Sequence, residues 1–265
     1  MAQDGFTRLE RFELKYPIRL EWLGAISAFL GPWCELDPYS ARSPDGFYWI
    51  TNNYLDTPRD TFFRWTFDKR DGRFDMRIRT YGQSPSNDGP CHFEVKEKRR
   101  DTVIKTRGTI RDGGPQRLWN DTLSALAESK GGADRANLEH FLHLALDYNV
   151  HPRYLTQYKR MAWFGRFEDY TRVTIDTNMR WREERSFDHE VPDPRVMRPS
   201  DLPEFTSPGS DAILELKCER EQVPWWMLDL IRFLQIRLSG YSKFGSAAFL
   251  CQHRPQVRVA RGMAC

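Results

Sequence analysis

Charge recurs at every second position in three consecutive segments, RFDMRIRTYG (residues 73–82), CHFEVKEKRRD (91–101) and TVIKTRGTI (102–110). The residues on the charged face are Asp75, Arg77, Arg79, Glu94, Lys96, Lys98, Lys105 and Arg107. Because side chains alternate between the two sides of a β-strand, each segment has one charged face and one largely apolar face. If the three strands are neighbours in a sheet, their charged faces merge into one basic surface. Such a surface requires an anionic partner or opposing carboxylates.

Similar patterns along the rest of the chain predict the fold class. The eight predicted strands are 11–16, 46–56, 73–82, 91–101, 102–110, 153–165, 171–184 and 212–220. The helical segments expected from apolar spacing are 21–31, a short turn or helix ending at Phe67, 116–129, 134–148 and 225–238. We therefore expect an α+β fold, an antiparallel eight-stranded β-barrel with peripheral helices. It would form one domain over residues 1–265, with a helical insertion around 116–149 and a long proline-rich loop from 187 to 209.

Composition narrows the class of protein. The chain has 265 residues, of which 40% are hydrophobic and 14% aromatic, so it is not a disordered chain. Its five cysteines are scattered and form no C-x-x-C pair, which favours reduced thiols in the cytoplasm. No stretch reaches the roughly 18 apolar residues of a membrane span. The net charge of only +3 and the lack of a nucleic-acid-binding motif argue against a nucleic-acid partner.

The charged faces predict phosphate chemistry if they line the inside of a barrel. A closed barrel points one face of every strand inward, and charged inward faces imply a tunnel filled with water or ligand. The candidate lining residues are Lys15, Arg77, Arg79, Lys96, Lys105, Arg107, Arg160, Arg172, Lys217 and Lys243, together with Glu13, Glu94, Asp176 and Glu215. Arginine forks match phosphate oxygens in pairs, and lysines add point charge. A triphosphate or a longer phosphate chain suits this lining, and the carboxylates can hold a divalent cation that bridges phosphate oxygens.

Two other interpretations of the same residues stay open at the level of sequence. Alternating charge on a single strand is more often a solvent-exposed outer face, so the tunnel depends on several strands being adjacent. Glu215 alone is also explained as an ion-pair partner of Lys217 or Arg172. The sequence contains neither G-x-x-x-x-G-K-[ST] nor G-x-G-x-x-G, so the common nucleotide-binding loops are excluded.

Short motifs in this chain resemble those of the VTC domain (vacuolar transporter chaperone) family, the polyphosphate polymerase branch of the triphosphate tunnel metalloenzymes. The similar motifs are ELKY (13–16), YLDTP (54–58), MRIRTYG (76–82), FEVKEK (93–98), Tyr158-x-Arg160 followed by RVTIDT (172–177), LELK (214–217) and YSKF (241–244). They occur in the order of the family and cover nearly the whole chain. The resemblance implies an antiparallel triphosphate tunnel barrel, and the chain is similar to a stand-alone, bacterial-style member.

The resemblance also implies roles for individual residues. The bases that resemble the catalytic phosphate-binding residues of the family are Lys15, Arg77, Arg79, Lys96, Arg160 and Arg172, and Glu215 resembles its metal-binding carboxylate. Further substrate-binding positions are Lys217, the pair Ser242 and Lys243, and either Lys105 or Arg107 as the basic residue after the K-x-K strand. Lys69 or Arg64 would fill the basic position before R-I-R. Family members in eukaryotes carry a lysine at the position of Gly240.

The activity that the resemblance implies is metal-dependent synthesis of polyphosphate from ATP, with Mn²⁺ as the expected cofactor and Mg²⁺ as the alternative. A tripolyphosphatase or nucleoside triphosphatase of the same fold is a second interpretation, because fold does not determine which acceptor attacks the phosphate. A non-catalytic polyphosphate-binding module is a third, and Gly240 is the feature that favours it. The expected location is the cytoplasm, either free or at the inner face of the membrane through a membrane protein partner.

Overall fold

The computed structural model describes residues 11–83, 89–99, 102–129, 131–168, 170–187, 193–200, 203, 206–220 and 222–253. Its strands are β1 (Arg11–Ile18), β2 (Cys34–Leu36), β3 (Tyr48–Asp56), β4 (Arg73–Tyr81), β5 (Cys91–Arg99), β6 (Thr102–Ile110), β7 (His151–Gly165), β8 (Thr171–Glu183), β9 (Arg198–Pro199) and β10 (Ala212–Glu219). The helices are α1 (Leu23–Leu30), α2 (Pro38–Arg42), α3 (Thr61–Phe67), α4 (Arg117–Asn120), α5 (Thr122–Ala127), α6 (Gly131–Asp147), α7 (Trp225–Leu234) and α8 (Lys243–His253).

Eight of the strands form one antiparallel sheet in the order β1-β10-β8-β7-β3-β4-β5-β6, and the short strands β2 and β9 pair with β7 and β8. This confirms the predicted α+β class and the antiparallel eight-stranded sheet. Backbone pairing between the edge strands β1 and β6 is not found in the described ranges, so the sheet is a curled half-barrel. None of the helices in these ranges combines the length and apolar content needed to cross a membrane.

Two hydrophobic cores lie between the outer face of the sheet and the helices. In the first, Met76 and Phe93 from the sheet pack with Phe62 of α3 and Phe141 of α6. In the second, sheet residues including Leu214 pack with side chains of α1 and α7. Burying one such large apolar side chain stabilises the fold by roughly 1.5–3 kcal/mol. The apolar half of each alternating strand is therefore used for packing, which leaves the charged half for the other face.

The DTP turn after β3 has a structural role. The Asp56 carboxylate accepts hydrogen bonds from the backbone N–H groups of Phe62 and Phe63, both at 2.9 Å, and so satisfies free donors at the start of α3. Asp60, the residue just before this helix, has left-handed backbone angles and its side chain does not cap the helix. Burial raises the pKa of the Asp56 carboxyl to about 6.

The structure differs from the sequence-based prediction at several elements. Strand β2 is only three residues long, too short for a period to be read from sequence. Helix α8 was not predicted, because its small residues give no clear apolar stripe. Helix α7 ends at Leu234 rather than near residue 238, since Gln235 has a left-handed φ of 50°. The predicted loop 187–209 lies partly outside the described residues, and its described part contains β9.

Candidate functional site

The charged face of the sheet is its concave face. Lys96 on β5 places its Nζ 2.5 Å from Oε2 of Glu13 on β1, although these strands stand first and seventh in the sheet order. Such a contact between distant strands requires the sheet to curl with these side chains inside. We call the side chains on this concave side the inner face. It contains the predicted basic residues Lys15, Arg77, Arg79, Lys96, Lys105, Arg107, Arg160, Arg172, Lys217 and Lys243.

Glu94 is the centre of one group of inner-face bases. Strand register sets Glu94 opposite Arg77 on β4 and opposite Arg107 on β6. Its Oε2 lies 2.7 Å from Arg77 Nη2, and its Oε1 lies 2.8 Å from Lys105 Nζ and 2.5 Å from Arg107 Nη2. Arg79 Nη2 is farther, at 3.9 Å. Burial opposes ionisation of this carboxyl, but the four cations outweigh burial and hold its pKa well below the ordinary value.

Both Lys105 and Arg107 therefore belong to this group, so the structure does not select one of the two alternatives. Each also keeps more than a third of its side chain exposed, at 37% and 39%. This exposure follows from their position on the edge strand β6. These two cations are therefore the ones of this group that are most accessible to solvent.

Asp176 organises a second group. Its Oδ1 and Oδ2 accept hydrogen bonds from Nε and Nη2 of Arg160 at 2.6 and 2.8 Å. Lys243, the first residue of α8, adds its Nζ at 2.7 Å from Oδ2. Burial disfavours the charged carboxylate, but Arg160 and Lys243 outweigh it and lower the pKa of Asp176 to about 2. This ion pair attaches the start of α8 to the inner face.

A third group contains the two carboxylates best placed for a cation. Lys217 Nζ lies 3.6 Å from Oε1 of Glu13 and 3.6 Å from Oε2 of Glu215, so one ammonium stands beside both. Glu215 is almost fully buried, and it also forms a salt bridge with Arg160, whose Nη2 is 3.8 Å away. Burial opposes ionisation, but Lys217 and Lys15 outweigh it and hold the pKa of Glu215 well below its ordinary value.

The donor set at Glu215 fits a divalent cation that takes most of its ligands from phosphate. The described residues contain no group of three or more histidine, cysteine or acidic side chains placed to hold a metal. Glu215 is nevertheless ionised, receives no hydrogen bond from the described part of the chain, and has Glu13 close by. Hard divalent cations take oxygen ligands, and phosphate oxygens complete their coordination. Glu215 and Glu13 are thus the side chains that would hold such an ion.

Lys15 and Asp75 occupy the space between these groups. Lys15 donates from Nζ to the backbone carbonyl of Tyr241 at 3.1 Å, and burial lowers the pKa of its ammonium to about 8. Burial also raises the pKa of the Asp75 carboxyl, despite the nearby cations Arg77 and Lys96. Both shifts have the direction that burial gives a charged group.

Arg172 marks one end of the sheet. Its Nη2 donates to Oδ2 of Asp37 at 3.1 Å, and the same oxygen accepts from the Tyr48 hydroxyl at 3.1 Å. Asp37 also accepts from the backbone of Ser40 and so caps α2. Sequence reasoning assigned no role to Asp37, although an aspartate before a proline signals a helix start.

Two predicted positions lie away from the inner face. Lys69 and its alternative Arg64 are exposed, the first in the turn after α3 and the second on α3 itself. Both precede β4, which begins only at Arg73, so the role of either residue beside the R-I-R bases stays a prediction. Ser242 lies at the start of α8, where its Oγ accepts from the Gly245 N–H at 3.1 Å.

Some residues of the inner face were recognised from sequence only as charged. Alternation identified Glu94 and Asp176 as candidate lining residues, but their partners depend on register and curl. Tyr54 was missed, and its hydroxyl accepts from Arg77 Nη1 at 3.1 Å. The ring of Phe244 on α8 stacks on that of Tyr54, with centroids 5.2 Å apart, so α8 covers this end of the inner face.

Comparison with known proteins gave a family match and several structural similarities. The model of the VTC domain family matches residues 10–250. A putative adenylate cyclase from Bacillus halodurans has 10% identity, 88% coverage of this chain, 96% coverage of its own and a TM-score of 0.49. A putative adenylyl cyclase from Hippeastrum, described as having a dominant triphosphatase activity, has 14% identity, coverages of 90% and 94%, and a TM-score of 0.45. No curated protein matched significantly in sequence.

Proposed function

This chain belongs to the VTC domain family, and on that premise we propose that it is a metal-dependent polyphosphate polymerase that uses ATP. The observation that carries the proposal is the excess of positive charge on one concave face. Ten basic side chains share that face with the five carboxylates Glu13, Asp75, Glu94, Asp176 and Glu215. A chain of phosphates supplies the negative charge that this face lacks.

The reaction needs no protein nucleophile. A terminal oxygen of the phosphate chain attacks the γ-phosphorus of ATP, and the bond from that phosphorus to the bridging oxygen of ADP breaks. The products are ADP and a chain longer by one phosphate. Phosphoryl transfer of this kind depends on positioning and on charge neutralisation. In this proposal Arg77, Arg79 and Arg160 orient the phosphates and stabilise the charge on their oxygens.

Rigid placement of these guanidinium groups supports the assignment. Arg160 is fixed by its paired hydrogen bonds to Asp176, and Arg77 by Glu94 and Tyr54. Arg79 is fixed by a 2.9 Å hydrogen bond from its Nε to Oδ1 of Asn52. Donors that are already ordered lose little conformational entropy when the anion arrives. The proposed catalytic residues also include Lys15, Lys96 and Arg172. The proposed substrate-binding residues are Lys105, Arg107, Lys217, Ser242 and Lys243.

A divalent cation held by Glu215, with Glu13 beside it, would neutralise phosphate charge at the reacting end. We propose Mn²⁺ as the preferred ion and Mg²⁺ as its substitute. We also propose that residues 1–265 act as one domain in the cytoplasm, and that any contact with the membrane is made through a partner protein.

Product analysis tests the proposal. The purified protein is incubated with ATP and Mn²⁺, with and without a short polyphosphate primer, and the products are resolved by gel electrophoresis and phosphorus NMR. Long-chain polyphosphate together with ADP is the expected result. Orthophosphate as the only phosphate product would show that the protein is a hydrolase and not a polymerase. Polyphosphate binding without turnover, with either Mn²⁺ or Mg²⁺ present, would show that the protein is a non-catalytic binding module.

A further inference from the structure

A cavity of about 530 Å³ lies between α3 and α8, outside the charged groups described above. Its aromatic lining residues are Phe63, Phe67, Tyr241 and Phe249, and Thr66, Ser239, Ser242 and Ser246 are hydroxyl-bearing lining residues. Phe67 is 68% exposed, so one aromatic ring is available at the surface of this cavity. The volume falls within the range of pockets that bind small molecules, roughly 300–1,000 Å³.

The chemistry of the lining differs from that of the inner face. The residues that line the cavity include no charged side chain. Aromatic rings offer stacking surfaces to a planar ring, and serine hydroxyls exchange hydrogen bonds with sugar hydroxyls. Because the cavity has no cation, its lining is a weaker site for a phosphate than the inner face is. Its lining therefore suits a neutral, planar, hydroxyl-bearing group.

The wall of this cavity is shared with the inner face. Tyr241 lines the cavity, and its carbonyl oxygen accepts the 3.1 Å hydrogen bond from Lys15 Nζ. Ser239 also lines it, and its N–H donates to the carbonyl of Lys15 at 2.8 Å. Lys243 follows the lining residue Ser242 and reaches Asp176. The segment 239–243 thus has a neutral cavity at one side and phosphate-binding cations at the other.

We propose that this cavity binds the nucleoside of a nucleoside triphosphate whose phosphates lie against Lys15 and Lys243. The base stacks on the exposed ring of Phe67, and the ribose lies near the hydroxyls of segment 239–242. This inference rests on the proposed function, because it needs the triphosphate to occupy the inner face. It adds a site for the donor nucleoside that the charged residues do not provide.

Gly240 offers a direct way to fill the cavity. It lines the cavity, a Cβ built on it meets no atom within 4 Å, and its φ lies outside the left-handed region. A larger side chain at this position is therefore tolerated by the backbone and takes up space that the nucleoside needs. Gly24 on α1 also has no atom within 4 Å of such a Cβ, and it lies far from this cavity, so Gly24→Leu is the matched control.

Isothermal titration in the presence of EDTA, which prevents turnover, compares ATP with inorganic tripolyphosphate. We expect Gly240→Leu to raise the Kd of ATP about tenfold and to change the Kd of tripolyphosphate less than twofold. A tenfold change corresponds to about 1.4 kcal/mol, which is a typical contribution of base stacking. Gly24→Leu changes neither. Phe67→Ala provides a second test without cavity filling, with the similarly exposed Phe167→Ala as its control.

The outcomes separate this inference from the proposed function. If wild-type protein binds tripolyphosphate but Gly240→Leu and Phe67→Ala leave the affinity for ATP unchanged, the nucleoside site is wrong and the phosphate site stands. An equal loss of affinity for both ligands in Gly240→Leu also overturns the nucleoside site. If wild-type protein binds neither ligand in EDTA and also fails to bind tripolyphosphate in the presence of Mn²⁺, the proposed function fails, and the nucleoside site fails with it.

Discussion

Arg160 and Asp176 form a paired, buried salt bridge, with Nε to Oδ1 at 2.6 Å and Nη2 to Oδ2 at 2.8 Å. The two residues face each other across β7 and β8. Lys243 adds a third charge from a helix that begins 67 residues after Asp176 in the chain. Asp176 thus holds two phosphate-binding candidates in place and carries one charge against their two. The same arrangement makes the folded state sensitive to acid.

Asp176→Asn is expected to reduce the loss of stability in acid. The folded pKa of Asp176 is about 2, below the ordinary 3.8, so its ionisation stabilises the fold above pH 4 and this contribution is lost as pH falls towards 2. The contribution is about 2 kcal/mol. Denaturant unfolding at pH 4, 3 and 2 measures it. The control Asp229→Asn, which removes only a surface ion pair with Arg232, should leave the pH dependence of the unfolding free energy as in the wild type. An unchanged pH dependence in Asp176→Asn contradicts the assignment.

Arg77→Ala is expected to lower turnover of ATP by about 100-fold or more, because a positioned donor to the transferring phosphate is lost. Lys105 and Arg107 remain on Glu94, so the variant still folds. Steady-state rates and circular dichroism check both statements. Arg135→Ala, which removes an exposed arginine of α6, serves as the control. Turnover near the wild-type rate in Arg77→Ala would count against a catalytic inner face.

Glu94→Gln is expected to destabilise the free protein by about 3 kcal/mol, because four nearby cations lose their shared counter-ion. Tripolyphosphate then replaces the missing charge, so it should raise the melting temperature more in this variant than in the wild type. Differential scanning fluorimetry with and without tripolyphosphate measures both effects. Glu139→Gln, which breaks only the surface pair with Arg135, is the control. An equal ligand-induced shift in both proteins would refute the counter-ion role.

Glu215→Gln is expected to weaken Mn²⁺ binding about tenfold, because one of two neighbouring carboxylate ligands is lost. Electron paramagnetic resonance of free Mn²⁺, titrated in the absence of nucleotide, measures the affinity directly. The exposed Glu35→Gln on β2 should bind as the wild type does. An unaltered Mn²⁺ affinity in Glu215→Gln would mean that the ion is held elsewhere.

Gly108→Ala is expected to lower the free energy of unfolding by about 2 kcal/mol. A Cβ at this position would lie 2.5 Å from Cγ of Leu138 and 2.9 Å from its backbone nitrogen, where α6 packs on β6. Gly132→Ala on the same helix meets no atom within 4 Å and should stabilise the protein by up to about 1 kcal/mol. Urea unfolding of both variants tests the packing, and equal effects would contradict it.

The strands, their charged faces and most lining residues were predictable because alternation is a local property of the chain. RFELKY, MRIRTYG and FEVKEK each show a charged face without any knowledge of their neighbours. Lys69 was suggested by the resemblance and not by alternation, and it lies in a turn, which has no strand face. The local pattern failed for α8, whose small residues carry too weak a period to predict a helix.

Sequence by itself determined which side chains are charged and that they share one face of each strand, because the two-residue period is fixed by backbone geometry. Only the tertiary structure decided which charges meet. Glu94 gathers cations from β4 and β6, Lys96 reaches Glu13 across the curled sheet, and Lys243 arrives from α8. These contacts join residues far apart in the chain, so they depend on register, on the curl of the sheet and on helix packing, none of which is encoded in a local pattern.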